Sequence, residues 1–260
     1  MIDIEKAESE FNTYVKNYDM DNVNINRKVF HSHRVENIAG EIAKSLNLSN
    51  EDIKLAKIVG LLHDIARFEQ YTRYQTFSDL KSIDHGDYGV EILKQNSFIR
   101  NFIDTDEYDN IIFKAIKNHN KLKIEDGLTE KELLYSKIVK DADKLDIFYE
   151  AITMFYNDMN SLKNIETGII NNEQIASIQK KQLIIRKLKD NQMEEMIMIL
   201  GFTFDLNFKY SYEIMYKEDY INKLLDRFDF KNKETQEKIK IIRNEINNYI
   251  QSKKGWFNWN

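Results

Sequence analysis

The chain has 260 residues, with 38 Lys and Arg against 43 Asp and Glu and a net charge of -5; it is long enough for a buried core and too balanced in charge to point at nucleic acid. Hydrophobic residues at 42% and charged residues at 31% exclude wholesale disorder, and the absence of cysteine excludes disulfides and thiolate chemistry. Average usage near 5% would give roughly a dozen prolines in such a chain, so no proline and only 8 glycines suit long helices better than many-turned β architecture.

Met1 to Phe11 is acidic and has no basic segment leading into an apolar one, so a cytoplasmic protein is expected. Ile4, Ala7, Phe11 and Val15 recur at helical spacing, and Val35, Ile38, Ala39, Ile42 and Leu46 do so more strongly. Ser49 followed by Asp52 resembles a helix cap ahead of Ile53, Ala56 and Val59, in a segment apolar on nearly every face. From Arg67 to Asp84 the pattern breaks into aromatic and polar residues, which reads as one long connection.

Helical spacing resumes at His85, Tyr88, Gly89 and Ile92, and again at Ile112, Ala115, Ile116 and His119. Thr129 with Glu132 forms a capping box that opens a helix through Ile138, Leu145 and Phe148. A loop is expected over 157–172, and further helices over 193–204, 221–228 and 239–250. The longest apolar run, 196–204, is far short of the roughly 18 residues a membrane helix requires. The expectation is an all-α chain forming a single helical domain, 1–260, with a catalytic core about 22–157 and a C-terminal helical extension about 173–260.

The five histidines carry the chemistry. His31 shares the apolar face of Val35 and Ile38, whereas His33 lies about 200° away beside Asn37 and Glu41. His63, His85 and His119 extend the inward stripes of their own segments, so four imidazoles point into one interior. Asp64 and at least one acid of Asp141, Asp143 and Asp146 would accompany them. Burying such groups unpaired costs a few kcal/mol each, and a divalent cation satisfies them together. Manganese, iron, nickel, cobalt or zinc suits imidazole plus carboxylate.

Five separated motifs, His31-Ser-His33-Arg34-Val35, His63-Asp64 with Arg67, Asp84-His85-Gly86, Ala115 to His119, and Asp141-Ala142-Asp143-Lys144-Leu145, occur in an order that resembles the HD-domain metal-dependent phosphohydrolases. The likeness runs from about His31 to Asp146, and two further stretches, beginning at Arg67 and at Phe204, are similar to bacterial members of that superfamily. It implies an HD-domain helical bundle with additional C-terminal helices. Its implied metal ligands are His31, His63, Asp64 and an aspartate of the fifth motif, with His85 and His119 serving a second ion and Asp64 bridging the two. The family register falls on Asp143, while periodicity favours Asp141; the register is followed here. Members with a His-His pair in the fourth motif have a second histidine where this chain has Asn120, which bears on the second ion.

The resemblance further implies one or two divalent ions (Mn, Fe, Co, Ni, Zn or Mg) activating water against a small-molecule phosphoester, a nucleotide or a relative of one. Asp64 and Arg67 would then be catalytic, Arg67 meeting the phosphate or else standing as a surface arginine at a helix end; in the long connection Tyr71, Arg73 and Tyr74 would hold substrate, the aromatics otherwise serving as core plugs. Two alternatives stand beside this reading: a regulatory nucleotide-binding module without turnover, and a di-iron oxygenase on the same scaffold.

Overall fold

The computed structural model describes residues 2–185 and 191–254, and among them it contains helices and no strand. By internal packing the chain divides into two units, Met1–Asp143 and Lys144–Asn260.

In the first unit α1 (Ile4–Val15) buries Ala7, Phe11 and Val15, and packs against the later helices Asn50–Leu62 and Ile99–Phe102. The long α2 (Val23–Ser45) begins at Asn22, whose side chain accepts from the backbone N–H of Asn24 and Ile25 at 2.9 and 3.4 Å. The next helix, α3 (Asn50–Leu62), begins at Ser49, which accepts from Asp52 N–H at 3.1 Å. Each such cap satisfies a backbone donor left open at a helix start and is worth about 1 kcal/mol.

Val35, Ala39 and Ile42 of α2, and Leu55, Ile58, Val59 and Leu62 of α3, are fully or almost fully buried. Their burial stabilises the pair by roughly 1.5–3 kcal/mol for each large side chain. The two helices touch where α3 carries Gly60. A Cβ there would meet Glu36 Cα and Val35 O at 2.8 Å, so the approach is open only to glycine.

Next come α4 (Arg67–Tyr74), ended by Gln75 in the left-handed conformation (φ 52°), and a 3-10 turn at Asp79–Lys81. In α5 (His85–Lys94) the first N–H groups are taken by Asp84. The short α6 (Ile99–Phe102) and α7 (Asp109–Asn118) follow. The boundary between the units falls inside α8 (Glu130–Thr153). Its capping box forms as expected: Thr129 N–H donates to Glu132 Oε2 at 2.7 Å and Glu132 N–H to Thr129 Oγ1 at 3.3 Å.

Two expectations need correction. Residues 67–84 are not one connection, because their first eight form α4. That helix buries Phe68 and the polar Gln70, and a buried glutamine hides the apolar stripe from a periodicity reading. Residues 157–172 likewise contain α9 (Met159–Thr167), begun by Asp158 accepting from Ser161 N–H at 2.9 Å and burying Ile165 and Ser161.

The second unit continues through α10 (Asn172–Gln179), α11 (Gln192–Gly201), a 3-10 turn at Phe202–Asp205, α12 (Lys209–Lys217), α13 (Tyr220–Leu225) and α14 (Lys233–Lys254). Ile239, Ile242, Ile246 and Ile250 make one buried stripe along α14, which packs against α10, α12 and α13. No helix of the described residues is long and apolar enough to cross a membrane.

Candidate metal centre

Three histidines of the first unit stand at helix ends. His63 caps the C-terminus of α3, His119 caps that of α7, and His85 opens α5. At a C-terminus the last carbonyls lack intrahelical partners, and two of these imidazoles fill that gap. His63 Nδ1 lies 2.7 Å from Gly60 O, and His119 Nδ1 lies 2.6 Å from Ile116 O. A carbonyl only accepts, so both rings carry their proton on Nδ1 and present an Nε2 lone pair. His85 reaches the same state by donating Nδ1–H to Asp79 Oδ2 at 2.6 Å. His31 comes from the middle of α2 and is fully buried.

These nitrogens gather around the two oxygens of Asp64. Oδ2 lies 3.4 Å from His31 Nε2 and 3.5 Å from His63 Nε2. Oδ1 lies 3.3 Å from His85 Nε2 and 3.6 Å from His119 Nε2. Asp143 closes the first group, with Oδ1 at 3.2 Å from His31 Nε2 and 3.6 Å from His63 Nε2. His31 and His63 are 3.2 Å apart through Nε2, and His85 and His119 are 2.9 Å apart. One carboxylate therefore has a separate set of nitrogen donors on each oxygen.

The donor set tests its own fit to a metal. With Nδ1 protonated, His85 and His119 face each other through two lone pairs at 2.9 Å, which is repulsive unless a cation is shared. Donors held at ~2.0–2.2 Å around one divalent ion lie roughly 3.0–3.5 Å from each other. The separations here run from 2.9 to 3.6 Å. Buried His and Asp groups of this kind can hold a divalent metal.

Charge around Asp64 is arranged to keep it ionised. Burial alone would raise its pKa, but Lys28, His63 and Arg67 outweigh burial and hold it well below the usual carboxylate range. Lys28 Nζ is 2.7 Å from Oδ2 and Arg67 Nε is 3.2 Å from Oδ1. Burial would also raise Asp143, and His31 and His63 beside it bring it well below its ordinary value. Burial lowers His63, and it lowers His85 to about 4 with help from the Arg67 charge and against the pull of Asp79.

An outer set of bonds fixes this arrangement. Arg67 Nη1 donates to Gln70 Oε1, Phe77 O and Asp79 Oδ1 at 2.7, 2.6 and 3.1 Å. Gln70 Nε2 also donates to Asp79 Oδ1, at 2.9 Å. Asn120, at the position of the missing second histidine, gives its amide N–H to Asp79 Oδ2 at 3.0 Å and Asp84 Oδ1 at 2.9 Å. It holds the carboxylate behind His85, and its Oδ1 sits where any Cβ on Gly86 would come within 2.6 Å.

The structure brings His31, His63, Asp64, His85, His119 and Asp143 together, with Arg67 against Asp64. Asp141 is fully buried. The Tyr71 ring packs at a tilt against Phe77, with centroids 4.8 Å apart, and its hydroxyl accepts from Asn24 Nδ2 at 2.6 Å. Arg73 pairs with Glu69 and lies over the Tyr88 ring, and Tyr74 is 44% exposed; among the described residues neither contacts the six. His33 stays out of the cluster as expected, but it is half-buried rather than solvated, meeting Glu36, Asn12 and the edge of Phe11.

Lys28 and Asp79 were missed from sequence. A signal for Lys28 existed: it precedes His31 by three residues on the face that α2 buries. None existed for Asp79, which sits in an irregular turn without periodicity.

The family model for the HD domain matches residues 29–147, a stretch that holds all six clustered residues. That stretch of the chain is an HD domain, which supports membership of the HD-domain metal-dependent hydrolase superfamily. No match is found among curated proteins or among solved structures.

Proposed function

We propose that the protein is a metal-dependent phosphohydrolase acting on a small phosphoester, a nucleotide or a close relative, with His31, His63, Asp64 and Asp143 holding one divalent ion and Asp64, His85 and His119 a second. The observation that carries this reading is the division of donors between the two oxygens of Asp64, through which that carboxylate could serve both ions.

What bound divalent ions supply is Lewis acidity toward a phosphoryl oxygen and acidification of a coordinated water, so that a nucleophile is available near neutral pH. The chain's own residues do the rest. The carbonyls of Gly60 and Ile116 and the carboxylate of Asp79 fix the tautomers of His63, His119 and His85, so no rearrangement is needed to present Nε2. Lys28 and Arg67 keep Asp64 ionised. Arg67 is anchored through Nε and Nη1, which leaves Nη2 to meet a phosphate oxygen as charge grows there. Tyr71, Arg73 and Tyr74, along α4, would meet the remainder of the substrate.

The test is metal analysis of the purified protein, then a screen of nucleotide phosphoesters with manganese, cobalt, nickel and magnesium, before and after chelation. Hydrolysis that vanishes on chelation and returns with added metal is expected. Turnover that survives complete metal removal overturns the reading, and oxygen consumption without phosphate release would favour the di-iron alternative.

A further inference from the structure

Lys28 is a lysine buried beside a cluster built for cations, and the reaction scheme above gives it only an indirect task. Its Nζ lies 2.7 Å from Asp64 Oδ2, with 10% and 3% of the two side chains exposed. That oxygen is the one facing His31 and His63. An ammonium and a divalent ion would thus draw on the lone pairs of a single atom. Lys28 also lies 5.6 Å from the centroid of the Phe77 ring, and Arg67 lies 5.8 Å from the same centroid. Arg27 lies 5.6 Å from that centroid as well, so three cations flank one aromatic ring at the edge of the cluster, and neither Phe77 nor Arg67 is fully covered.

Charge decides what this pairing can do. Asp64, Asp79 and Asp143 are set against two permanent cations, Lys28 and Arg67. With the histidines neutral, one divalent ion turns this set net positive, and a second drives it further. In a weakly screened interior each added ion raises the positive charge beside Lys28 and Arg67, which favours an anion there in the loaded site.

We propose that Lys28 is a placeholder cation, occupying the metal-facing oxygen of Asp64 in the metal-free protein, and that with Arg67 it forms a phosphate-oxyanion subsite whose occupancy is positively coupled to metal binding. The inference rests on the metal-dependent phosphohydrolase reading above and adds a residue to it. Displaced from Asp64, the ammonium keeps its flexible stem beside Phe77 and Arg67, where a phosphoryl oxygen can accept from both cations. Coupling of this kind is reciprocal, so phosphate must tighten metal binding by the factor by which metal tightens phosphate binding.

The experiment is calorimetric titration of metal-free protein with Mn2+, with and without inorganic phosphate, on wild type, Lys28→Met and Lys28→Arg, with thermal unfolding to verify folding. Wild type should bind Mn2+ at least about fivefold more tightly when phosphate is present. Lys28→Met should bind Mn2+ alone at least about tenfold more tightly than wild type, because a competing charge is gone, and should lose most of the phosphate effect. Lys28→Arg should keep both wild-type properties. Mn2+ affinity in Lys28→Met equal to or weaker than wild type would mean that the lysine only orients Asp64, and overturns the proposal. Indifference of wild type to phosphate overturns it as well, even if the methionine variant does not fold. A wild-type protein that binds no Mn2+, or binds it no better than His31→Ala, removes the metal reading itself; binding that depends on His31 but not on Lys28 removes this inference alone.

Discussion

Asp79 accepts from His85 Nδ1–H through one oxygen and from Arg67 Nη1–H through the other, at 2.6 and 3.1 Å, so one carboxylate orients both a candidate metal ligand and a candidate phosphate ligand. Gln70 and Asn120 add a donor to each oxygen. Asparagine at this position would have to aim its own N–H2 at a donor whichever way it turned. Asp79→Asn should therefore weaken the second metal by about 10–100-fold, the usual cost of losing such a partner behind a ligating histidine, while the first ion stays bound. Metal stoichiometry at graded concentrations separates the two; an unchanged second site would show that Asp79 serves stability alone.

His31 and His33 make a matched pair for a second test. His31→Ala should abolish binding of the first ion, since His31 Nε2 faces both Asp64 and Asp143. His33→Ala should leave metal content intact and cost about 1 kcal/mol of stability through its contacts with Glu36 and Asn12. Metal analysis and thermal unfolding of both variants check this, and metal loss in the His33 variant would be incompatible with the geometry.

The two acids of the fifth motif can be told apart in the same way. Asp143→Asn removes a charged donor at 3.2 Å from His31 and should lower activity by several orders of magnitude. Asp141 is fully buried, so Asp141→Asn should act mainly on stability. If a well-folded Asp141→Asn protein were inactive and Asp143→Asn active, helical periodicity would have been the better guide.

Arg67 offers a kinetic test. Arg67→Ala should lower kcat with metal retained, and Arg67→Lys should fall between alanine and wild type because an ammonium lacks the planar fork of the guanidinium. Loss of the bond to Phe77 O will also loosen the Arg67–Asp84 segment, so unfolding must be recorded alongside. Normal turnover in a destabilised Arg67→Ala protein would end the phosphate role.

The metal-free protein should lose stability in acid before its carboxylates titrate. His63 and His85 have folded pKa values below the ordinary ~6.5, His85 at about 4. The unfolded chain therefore takes up these protons first as pH falls, so the stabilisation is present above pH ~6.5 and is lost on the way down to about pH 4. For His85 the loss amounts to about 3 kcal/mol. Asp64 and Asp143, lowered in the fold, act in the same direction only below about pH 4. Denaturant unfolding of chelated protein at pH 7, 5.5 and 4.5 measures this, and a flat profile over that range would contradict neutral, buried imidazoles.

Legibility in the sequence followed regularity. His31 was readable because α2 repeats its buried positions for six turns, and Ser49 and Thr129 because caps are local in sequence. Gln70 and Asp79 were not, since their importance comes from hydrogen bonds to each other and to Arg67 and His85, groups brought near by an irregular turn. Asn120 was visible as a departure from a motif, but its work on Asp79 and Asp84 needed coordinates. Motif order pointed to Asp143 where periodicity alone pointed to Asp141, and Asp143 is the one whose Oδ1 lies 3.2 Å from His31 Nε2.

Gly60 carries no functional group, yet it sets the distance between the backbone that bears His31 and the backbone that bears His63. A single methyl there would push α3 off α2 and separate two donors that nothing else ties together covalently. In a screen for inactive variants, Gly60 substitutions would be recovered alongside the ligands themselves, although the residue touches neither metal nor substrate. A selection for activity would hold this glycine as firmly as any histidine, and an observer counting invariant positions would take spacing for chemistry.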